Sequence, residues 1–478
     1  LLFLAHREEI LKQSCKTYRA VLKDANFGEY WVAGSTPSRY EHVFASIQTL
    51  NAGSKFNELP RDHFDVIVLD ETHHSASDSY QRILGHFKPK VLLGLTATPE
   101  RMDGKSILED FDNRIAYEIR LNQAIEQNLL CPFHYFGVSD DVDLSNMKWQ
   151  SGKYVTRDLS ATYIGNHVRD RAILSAVNRY ISDLHAVKGL GFCVDQVHAK
   201  HMAKVFNQVG IKSEALDANS SRQDRHTIQN RLKSGEIKFI FVVDLYNEGV
   251  DLPYVNTVLF LRPTESATIF IQQLGRGLRL YEDKEVLTVL DFIGQAHQSY
   301  DYRMKFQKLV GRTRHSVTDE VTMDFPSVPR NCFIQLERLA KDYVLRNLQQ
   351  GQTNSRKLRQ MVNAFWTDAN LPLTLRNFVS YYDLSLKELY KTACLFELAD
   401  ETYRVSEQLQ TLDKVNLKGV FYKLSQMDDA GLIRFALEYL KAPLEYPFER
   451  LSIKDQRRVL MLYYTMMDRE PEGAVEVF

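Results

Sequence analysis

The stretch from residue 66 to residue 74 constrains the fold more than any other part of the sequence, and it reads Val-Ile-Val-Leu-Asp-Glu-Thr-His-His. Its four aliphatic residues are typical of a buried strand in a parallel sheet. Two carboxylates, Asp70 and Glu71, follow directly. Open α/β sheets bind their ligands beyond the carboxyl ends of the strands, so the stretch predicts a site there. Taken alone, it leaves a second interpretation open, in which the carboxylates only begin a helix after a core strand.

Further short apolar runs alternate with helical patterns along the first two thirds of the chain. This alternation is typical of βαβ units, which build parallel sheets. The predicted strands are residues 1–5, 43–50, 66–69, 91–95, 133–138, 191–194, 239–243, 257–261 and 286–291. Residues 140–143 and 151–153 are predicted to be loops. After residue 316 the pattern is helical, beginning with residues 334–340.

The predicted fold class is therefore α/β, with two parallel-sheet domains followed by a mostly α-helical accessory domain. We place the first domain at residues 1–135, a connecting segment at 136–165, the second domain at 166–315 and the accessory domain at 316–478. A chain of 478 residues is too long for one hydrophobic core, which agrees with this division.

Composition limits the environment of the protein more than its function. The formal net charge of −1 neither supports nor excludes binding to nucleic acid. The five cysteines are scattered without a C-x-x-C pair, which argues for reduced thiols in a cytoplasmic protein and against a zinc site. Because no apolar run is long enough to cross a bilayer, no membrane partner is expected. The sequence starts at Leu1, inside an apolar run, so we expect it to be a piece of a longer polypeptide.

Six short motifs resemble those of the superfamily 2 helicases of the DEAD/DEAH-box type. Asp-Glu-x-His at 70–73 and Thr-Ala-Thr-Pro at 96–99 resemble motifs II and III, and His6-Arg7 and Gln48-Thr49-Leu50 are similar to motifs Ia and Ib. Residues 243–253 resemble motif V, and Gln-Gln-Leu-Gly-Arg-Gly-Leu-Arg at 272–279 resembles motif VI. Two plainer interpretations remain, a strand-ending turn for residues 96–99 and a basic surface helix for residues 272–279. The helical last third is similar to a bacterial subfamily with a long C-terminal extension.

This resemblance implies two RecA-like domains, ATP and Mg²⁺ as cofactors, and a role for each matching residue. Asp70 would hold Mg²⁺ through a water, and Glu71 would polarise the water that attacks the phosphate. Arg276 and Arg279 would stabilise the charge on the transferred phosphoryl group. The nucleotide cleft would also contain His73, Gly249, Asp251 and Gln272. Thr96 and Thr98 would couple the nucleotide to the nucleic acid, which would be contacted by His6, Arg7, Gln48, Thr49 and Asn247.

One part of the family pattern is missing from the sequence. Phosphoryl transfer in this family needs a phosphate-binding loop, G-x-x-x-x-G-K-[ST]. No stretch matches it, since Gly104-Lys105-Ser106 has Pro99 where the first glycine should stand. We expect the loop to lie upstream of Leu1, in which case this chain alone would be inactive. The predicted function is an ATP-dependent helicase or translocase that acts on DNA. The alternatives are an RNA helicase and a nucleic-acid-binding scaffold without ATPase activity.

Overall fold

The computed structural model describes residues 1–72, 78–96, 108–112, 114–150, 152–216, 220–243, 252–311, 313–350, 355–368, 372–382, 384, 386–395, 397–399, 417–426, 429–439 and 448–466. The chain divides into two compact units, Leu1–Gln352 and Thr353–Phe478.

The first unit begins with a five-stranded parallel sheet in the order β2-β3-β1-β4-β5. Its strands are β1 Leu2–Ala5, β2 Glu29–Trp31, β3 Val43–Ser46, β4 Val66–Leu69 and β5 Val91–Gly94. The helices of this part are α1 Glu8–Leu22, α2 Ile47–Asn51, α3 Asp78–His86 and α4 Leu121–Glu126, with 3-10 helices at Ala52–Glu58 and Leu108–Phe111. Separate apolar clusters cover the two faces of the sheet, as expected for a parallel sheet.

The predicted strand over residues 43–50 was too long. The strand β3 ends at Ser46, and α2 follows at once. The Ser46 hydroxyl accepts a hydrogen bond from the backbone N–H of Thr49 and so caps the helix. Ile47 and Leu50 are buried at helical spacing, and in the sequence they looked like a continuation of the apolar strand.

The second part of this unit is a seven-stranded parallel sheet in the order β10-β11-β9-β12-β13-β6-β14. The strands from β6 onward are β6 Phe133–Asp143, β7 Trp149–Gln150, β8 Lys153–Tyr154, β9 Gly189–Phe192, β10 Ser213–Leu216, β11 Phe239–Val242, β12 Thr257–Phe260, β13 Leu287–Gln295 and β14 Phe333–Leu336. Of these, β7 and β8 form a separate antiparallel hairpin. The helices are α5 Thr156–Tyr163, α6 His167–Tyr180, α7 Gln196–Gln208, α8 Arg222–Ser234, α9 Ala267–Leu278, α10 Tyr302–Val310, α11 Val317–Thr322 and α12 Arg338–Gln350.

Residues 140–143 belong to β6 and not to a loop, which corrects the prediction. Asp140 is buried, and its carboxylate accepts a hydrogen bond from Arg169 Nε at 2.7 Å. Arg169 also donates to the carbonyl of Leu261 at 2.9 Å and lies over the ring of Tyr163. The acidic run resembled a loop because nothing in the sequence marks a buried arginine as its partner.

The end of the second sheet also differs from the prediction. Residues 333–336 form the edge strand β14, which pairs with β6, so the predicted helix over 334–340 begins only at Arg338. The strand β6 itself extends across the expected boundary at residue 135 and lies inside the second sheet. Four-residue edge strands carry little periodicity, and a helical pattern directly after one hides it.

The second unit is helical in its described part. Its helices are α13 Ser355–Asp368, α14 Leu375–Tyr381, α15 Leu386–Thr392, α16 Leu417–Leu424, α17 Ala430–Tyr439 and α18 Ile453–Met466, with a 3-10 helix at Phe448–Arg450. An aromatic and aliphatic cluster around Phe365, Phe378 and Tyr382 forms its core. The α/β class with a mostly helical C-terminal part is confirmed.

Candidate functional site

The carboxyl ends of four neighbouring strands carry the candidate residues of the first sheet. Because β3, β1, β4 and β5 are parallel, the residues that follow them lie along one edge. The sheet thereby brings together His6, Arg7, Gln48, Thr49, Asp70, Glu71 and Thr96. The predicted site residues His73, Thr98, Asn247, Gly249 and Asp251 lie outside the described residues.

The backbone turns sharply between the two carboxylates at the end of β4. The N–H of Asp70 donates to the carbonyl of Leu4 at 2.9 Å, which is a bond across to β1. Asp70 Oδ1 then accepts a hydrogen bond from the N–H of Glu71 at 3.1 Å. Glu71 has a φ of 52°, in the left-handed region that non-glycine residues rarely adopt. Backbone strain of this kind concentrates at functional sites, and here it holds two half-buried carboxylates at the sheet edge.

Thr72 joins the ends of β4 and β5 and was not identified from the sequence. Its hydroxyl donates to the carbonyls of Leu69 at 3.1 Å and Leu95 at 3.0 Å, and its N–H donates to Leu95 O at 2.9 Å. The residue is 1% exposed. Thr72 fixes the carboxylate turn relative to Thr96, which follows Leu95. Its position inside the Asp-Glu-x-His box was the only sequence signal for this role.

Gly94, the last residue of β5, makes room for this contact. A Cβ atom at position 94 would lie 2.7 Å from Thr72 Oγ1 and 2.6 Å from Phe111 Cζ. Both distances are far below van der Waals contact, so only glycine fits without displacing its neighbours.

The two predicted nucleic-acid residues on α2 differ in their surroundings. The side chain of Gln48 is exposed. The hydroxyl of Thr49 accepts a hydrogen bond from Ser46 Oγ at 2.7 Å, within the helix cap. Of the two, Gln48 is the side chain that a ligand can reach directly.

In the second sheet the candidate residues stand on α9, the helix between β12 and β13. Ser266 Oγ caps the start of this helix by accepting from the N–H of Ile269 at 3.3 Å. Gln272 lies in its middle and is 8% exposed. Its Nε2 atom has no hydrogen-bond partner among the residues that the structure describes. A buried amide without a protein partner is suited to an oxygen acceptor on a ligand.

The two candidate arginines lie at the end of α9 and are both half-buried. Arg276 is in the last turn, and Arg279 is the C-cap residue. The backbone of Arg279 forms a β-bridge with Leu130, and the N–H of Cys131 donates to Leu278 O at 2.8 Å. The residues before β6 thus fix the direction in which the chain leaves α9.

Lys284 supports this end of α9, and sequence reasoning did not find it. Its Nζ donates to the carbonyls of Pro253 at 2.6 Å, Gly277 at 3.0 Å and Val255 at 3.2 Å. Burial lowers the pKa of the Lys284 ammonium. A lysine among backbone carbonyls carries no motif, so no sequence signal marked it.

A cavity of about 750 Å³ lies where the carboxyl ends of the second sheet meet the end of β1. Arg7 enters it from the first sheet, and Lys153, Asp195, Arg262 and Glu265 line it from the second. Arg262 Nη1 is 3.8 Å from a carboxylate oxygen of Glu265, and burial raises the pKa of that carboxyl. The cavity also takes in the start of α7, where backbone N–H groups favour anions.

The described ranges contain no group of three or more His, Cys, Asp or Glu side chains that could hold a metal ion. None of the helices in these ranges is both long and apolar enough to cross a membrane.

Two family profiles match parts of the chain. Residues 1–101 match the profile described as type III restriction enzyme, res subunit. Residues 173–281 match the profile described as helicase conserved C-terminal domain. The first matched segment contains the candidate residues at the edge of the first sheet, and the second contains those on α9.

Three curated proteins are similar over more than half of the chain. The Saccharomyces cerevisiae protein provisionally named ATP-dependent helicase IRC3 is 27% identical over 83% of this chain and 55% of its own length. The endonuclease subunit of the Escherichia coli type I restriction enzyme EcoAI is 26% identical over 61% of this chain and 39% of its own. The DNA 3'-5' translocase XPB2 of Sulfurisphaera tokodaii is 24% identical over 55% of this chain and 64% of its own. The matches thus span less than two thirds of each relative.

Proposed function

Because this chain belongs to the superfamily 2 helicases, we propose that it is the motor part of an ATP-dependent helicase or translocase that acts on DNA. The observation that carries the proposal is the carboxylate pair Asp70 and Glu71 at a sheet edge shared with His6, Arg7 and Thr96. A nucleotide bound at this edge would neighbour the residues expected to contact nucleic acid. The name of the relative XPB2 includes DNA translocation, which supports DNA over RNA.

The residues fit a magnesium nucleotide better than a metal ion alone. No cluster of three metal ligands exists in the described part of the chain, whereas Mg²⁺ at such sites is held by one or two carboxylates with phosphates and water. Asp70 is placed for this role at the end of β4. Gln272 Nε2, buried and without a partner among the described residues, supports a ligand with oxygen acceptors. When bound, Mg²⁺ and ATP would supply the phosphoryl group and its charge neutralisation.

The candidate side chains would then either position the attacking water or stabilise the charge that develops on the phosphoryl group. Glu71 would orient the attacking water and receive its proton, since its carboxylate follows Asp70 directly at the strand end. Arg276 and Arg279, at the end of α9, would stabilise the negative charge that develops on the transferred phosphoryl group. A guanidinium in this role is worth about 10³–10⁵ in rate. Thr72 would hold the carboxylate turn in register with Thr96, so that movement at one strand end reaches the other.

The experiment is ATP hydrolysis by the protein and by Glu71→Gln, with and without duplex DNA. In a polypeptide that carries a G-x-x-x-x-G-K-[ST] loop ahead of these residues, we expect hydrolysis that DNA stimulates and that Glu71→Gln abolishes while DNA binding stays. Hydrolysis that survives in Glu71→Gln would contradict the assignment of the base. An excess of duplex RNA that displaces DNA would favour the RNA helicase.

The alternative function is a nucleic-acid-binding scaffold without ATPase activity. The sequence contains no G-x-x-x-x-G-K-[ST] loop to cradle the phosphates of ATP. The scaffold predicts DNA binding that ATP does not change, and no hydrolysis. The motor predicts that ATP binding alters the affinity for DNA, and titration with and without ATP separates the two.

A further inference from the structure

The short hairpin β7–β8 lies between β6 and α5, outside every motif used above. Trp149 pairs with Tyr154, and Gln150 pairs with Lys153. Gly152 in its turn has a φ of 82°, which suits glycine. The N–H of Val155 donates to Lys148 O at 3.1 Å, which extends the pairing by one residue on each side.

One face of the hairpin is anchored on the second sheet. The ring of Trp149 is stacked on His297 with ring centroids 5.2 Å apart and an interplanar angle of 5°. The N–H of His297 donates to the hydroxyl of Tyr154 at 2.7 Å, and Tyr154 is 2% exposed. These contacts fix the hairpin on the residues that follow β13.

The opposite face of the hairpin is polar and positively charged. Side chains alternate along a strand, so Lys148, Gln150 and Lys153 point away from Trp149 and Tyr154. All three are exposed. Lys153 lines the cavity that Arg7 enters from the first sheet, which brings cations from both sheets to one space.

We propose that this outer face binds the phosphate backbone of nucleic acid, with Lys153 in the lining of the cavity and Lys148 and Gln150 beside it on the same face of the hairpin. The inference rests on the proposed function. Lysine ammonium groups bind phosphates as point charges, and such contacts position a strand without reading its sequence. Of the carboxylates that line the cavity, Asp195 accepts a hydrogen bond from the N–H of His198 at 2.8 Å. Glu265 lies beside Arg262 and accepts a hydrogen bond from the backbone N–H of Tyr154 at 3.4 Å, and the charge of Lys153 favours its ionised form.

The hairpin acts as a wall built on the second sheet, facing Arg7 on the first. Because the inner face is anchored by aromatic packing, the outer lysines keep their place when the strand binds. A strand held between this wall and Arg7 is gripped by both sheets, so relative movement of the sheets would pull on it.

The test is the salt dependence of duplex DNA binding, measured by fluorescence anisotropy for the wild type and for Lys148→Ala/Lys153→Ala. Each lost phosphate contact lowers the slope of log affinity against log salt by about 0.9, so we expect a decrease of about 1.8. The matched control is Lys212→Ala/Lys233→Ala, which removes two exposed lysines that are neither on the hairpin nor in the lining of the cavity. Its slope should equal that of the wild type. Lys153→Glu should weaken binding further than Lys153→Ala.

Three results would overturn the inference. Equal slopes for the hairpin variant and the control would leave the proposed function standing and remove the hairpin from it. If ATP competes with DNA for the wild type but not for the hairpin variant, the lysines bind nucleotide phosphates instead. A wild type that binds no DNA would overturn the proposed function and this inference together. Thermal unfolding of both double variants checks that they are folded.

Discussion

In the first sheet the candidate residues follow the strands directly and are held by backbone hydrogen bonds, whereas in the second sheet they stand on α9 and are supported by one half-buried and one buried lysine. Thr72 binds the carbonyls of two strand ends in the first sheet. In the second, Lys284 binds three carbonyls around α9, and Lys305 lies beneath the helix. The two parallel sheets thus hold their candidate site residues in place by two different means.

The difference follows from what each sheet buries. The described ion pairs of the first sheet are all at least partly exposed, such as Lys90 with Asp65. The second sheet buries two, Arg169 with Asp140 and Lys305 with Asp291. A larger core has room to satisfy an ion pair completely, and losing one partner then leaves a charge in an apolar interior. The second sheet should therefore be the one that a single substitution damages most.

The largest effect is expected from Lys305→Met. Lys305 donates to the Asp291 carboxylate, which also accepts from the Tyr135 hydroxyl, and its ammonium lies 4.7 Å from the centre of the Phe270 ring on α9. Methionine keeps the length of the side chain but leaves Asp291 as an uncompensated buried charge. We expect the free energy of unfolding to fall by about 3–5 kcal/mol, measured by urea denaturation.

Two variants control this result. Lys204→Met removes an exposed lysine from α7 and should leave the unfolding transition unchanged. Lys305→Met/Asp291→Asn removes the stranded charge and should recover part of the loss. If the double variant is no more stable than the single one, the damage comes from packing and not from charge.

A smaller loss is expected from Gly94→Ala in the first sheet. The added methyl group would lie 2.6 Å from the Phe111 ring and 2.7 Å from Thr72 Oγ1, so both must move. Overpacking of this kind costs about 1–3 kcal/mol. Gly85→Ala on α3 is the matched control because nothing lies within 4 Å of its Cβ position, and it should be neutral or slightly stabilising. Equal stability of the two variants in urea denaturation would contradict the tight junction at Gly94.

Thr72→Val should cost less than either. Valine keeps the shape of threonine but loses the hydroxyl that bonds Leu69 O and Leu95 O. Both carbonyls keep other donors, since Leu95 N donates to Leu69 O and Thr72 N donates to Leu95 O. We therefore expect a loss of about 1 kcal/mol in the free energy of unfolding, with Thr72→Ser close to the wild type. A wild-type value for Thr72→Val would show that the backbone bonds alone hold the two strand ends.

The position of the candidate residues in the first sheet could be predicted from the sequence because each of them directly follows a strand. The strand β4 was predicted correctly from four aliphatic residues, and Asp70 and Glu71 follow it, while the site predicted at these carboxylates stays a prediction. The candidate residues on α9 were proposed through their motif, whereas the contacts of Lys284 and Thr72 were not predicted. Both side chains donate hydrogen bonds to backbone carbonyls. Every residue has such a carbonyl, so the sequence does not show which ones accept these bonds.

The errors in the fold have a similar cause. Residues 140–143 looked like a loop because Arg169, the partner of Asp140, lies 29 positions away. The strand predicted at residues 43–50 was too long because Ile47 and Leu50 are as apolar as the residues of the strand before them. In both segments, contacts with residues distant in the sequence determine the secondary structure, and the local sequence pattern does not reveal those contacts.

The smallest effect is expected from Lys90→Ala, which tests whether surface charge contributes to the first sheet at all. Lys90 Nζ is 2.6 Å from Asp65 Oδ1, but the two side chains are 81% and 65% exposed. The hydrogen bond from Lys90 lowers the pKa of Asp65, so any stabilisation is present above the unfolded pKa of Asp65 and is lost as the pH falls through the folded value. Urea denaturation at pH 7 would therefore see it in full, and because water and salt screen the pair we expect no measurable change. A loss as large as that of Thr72→Val would mean that charge as well as backbone bonding holds the first sheet.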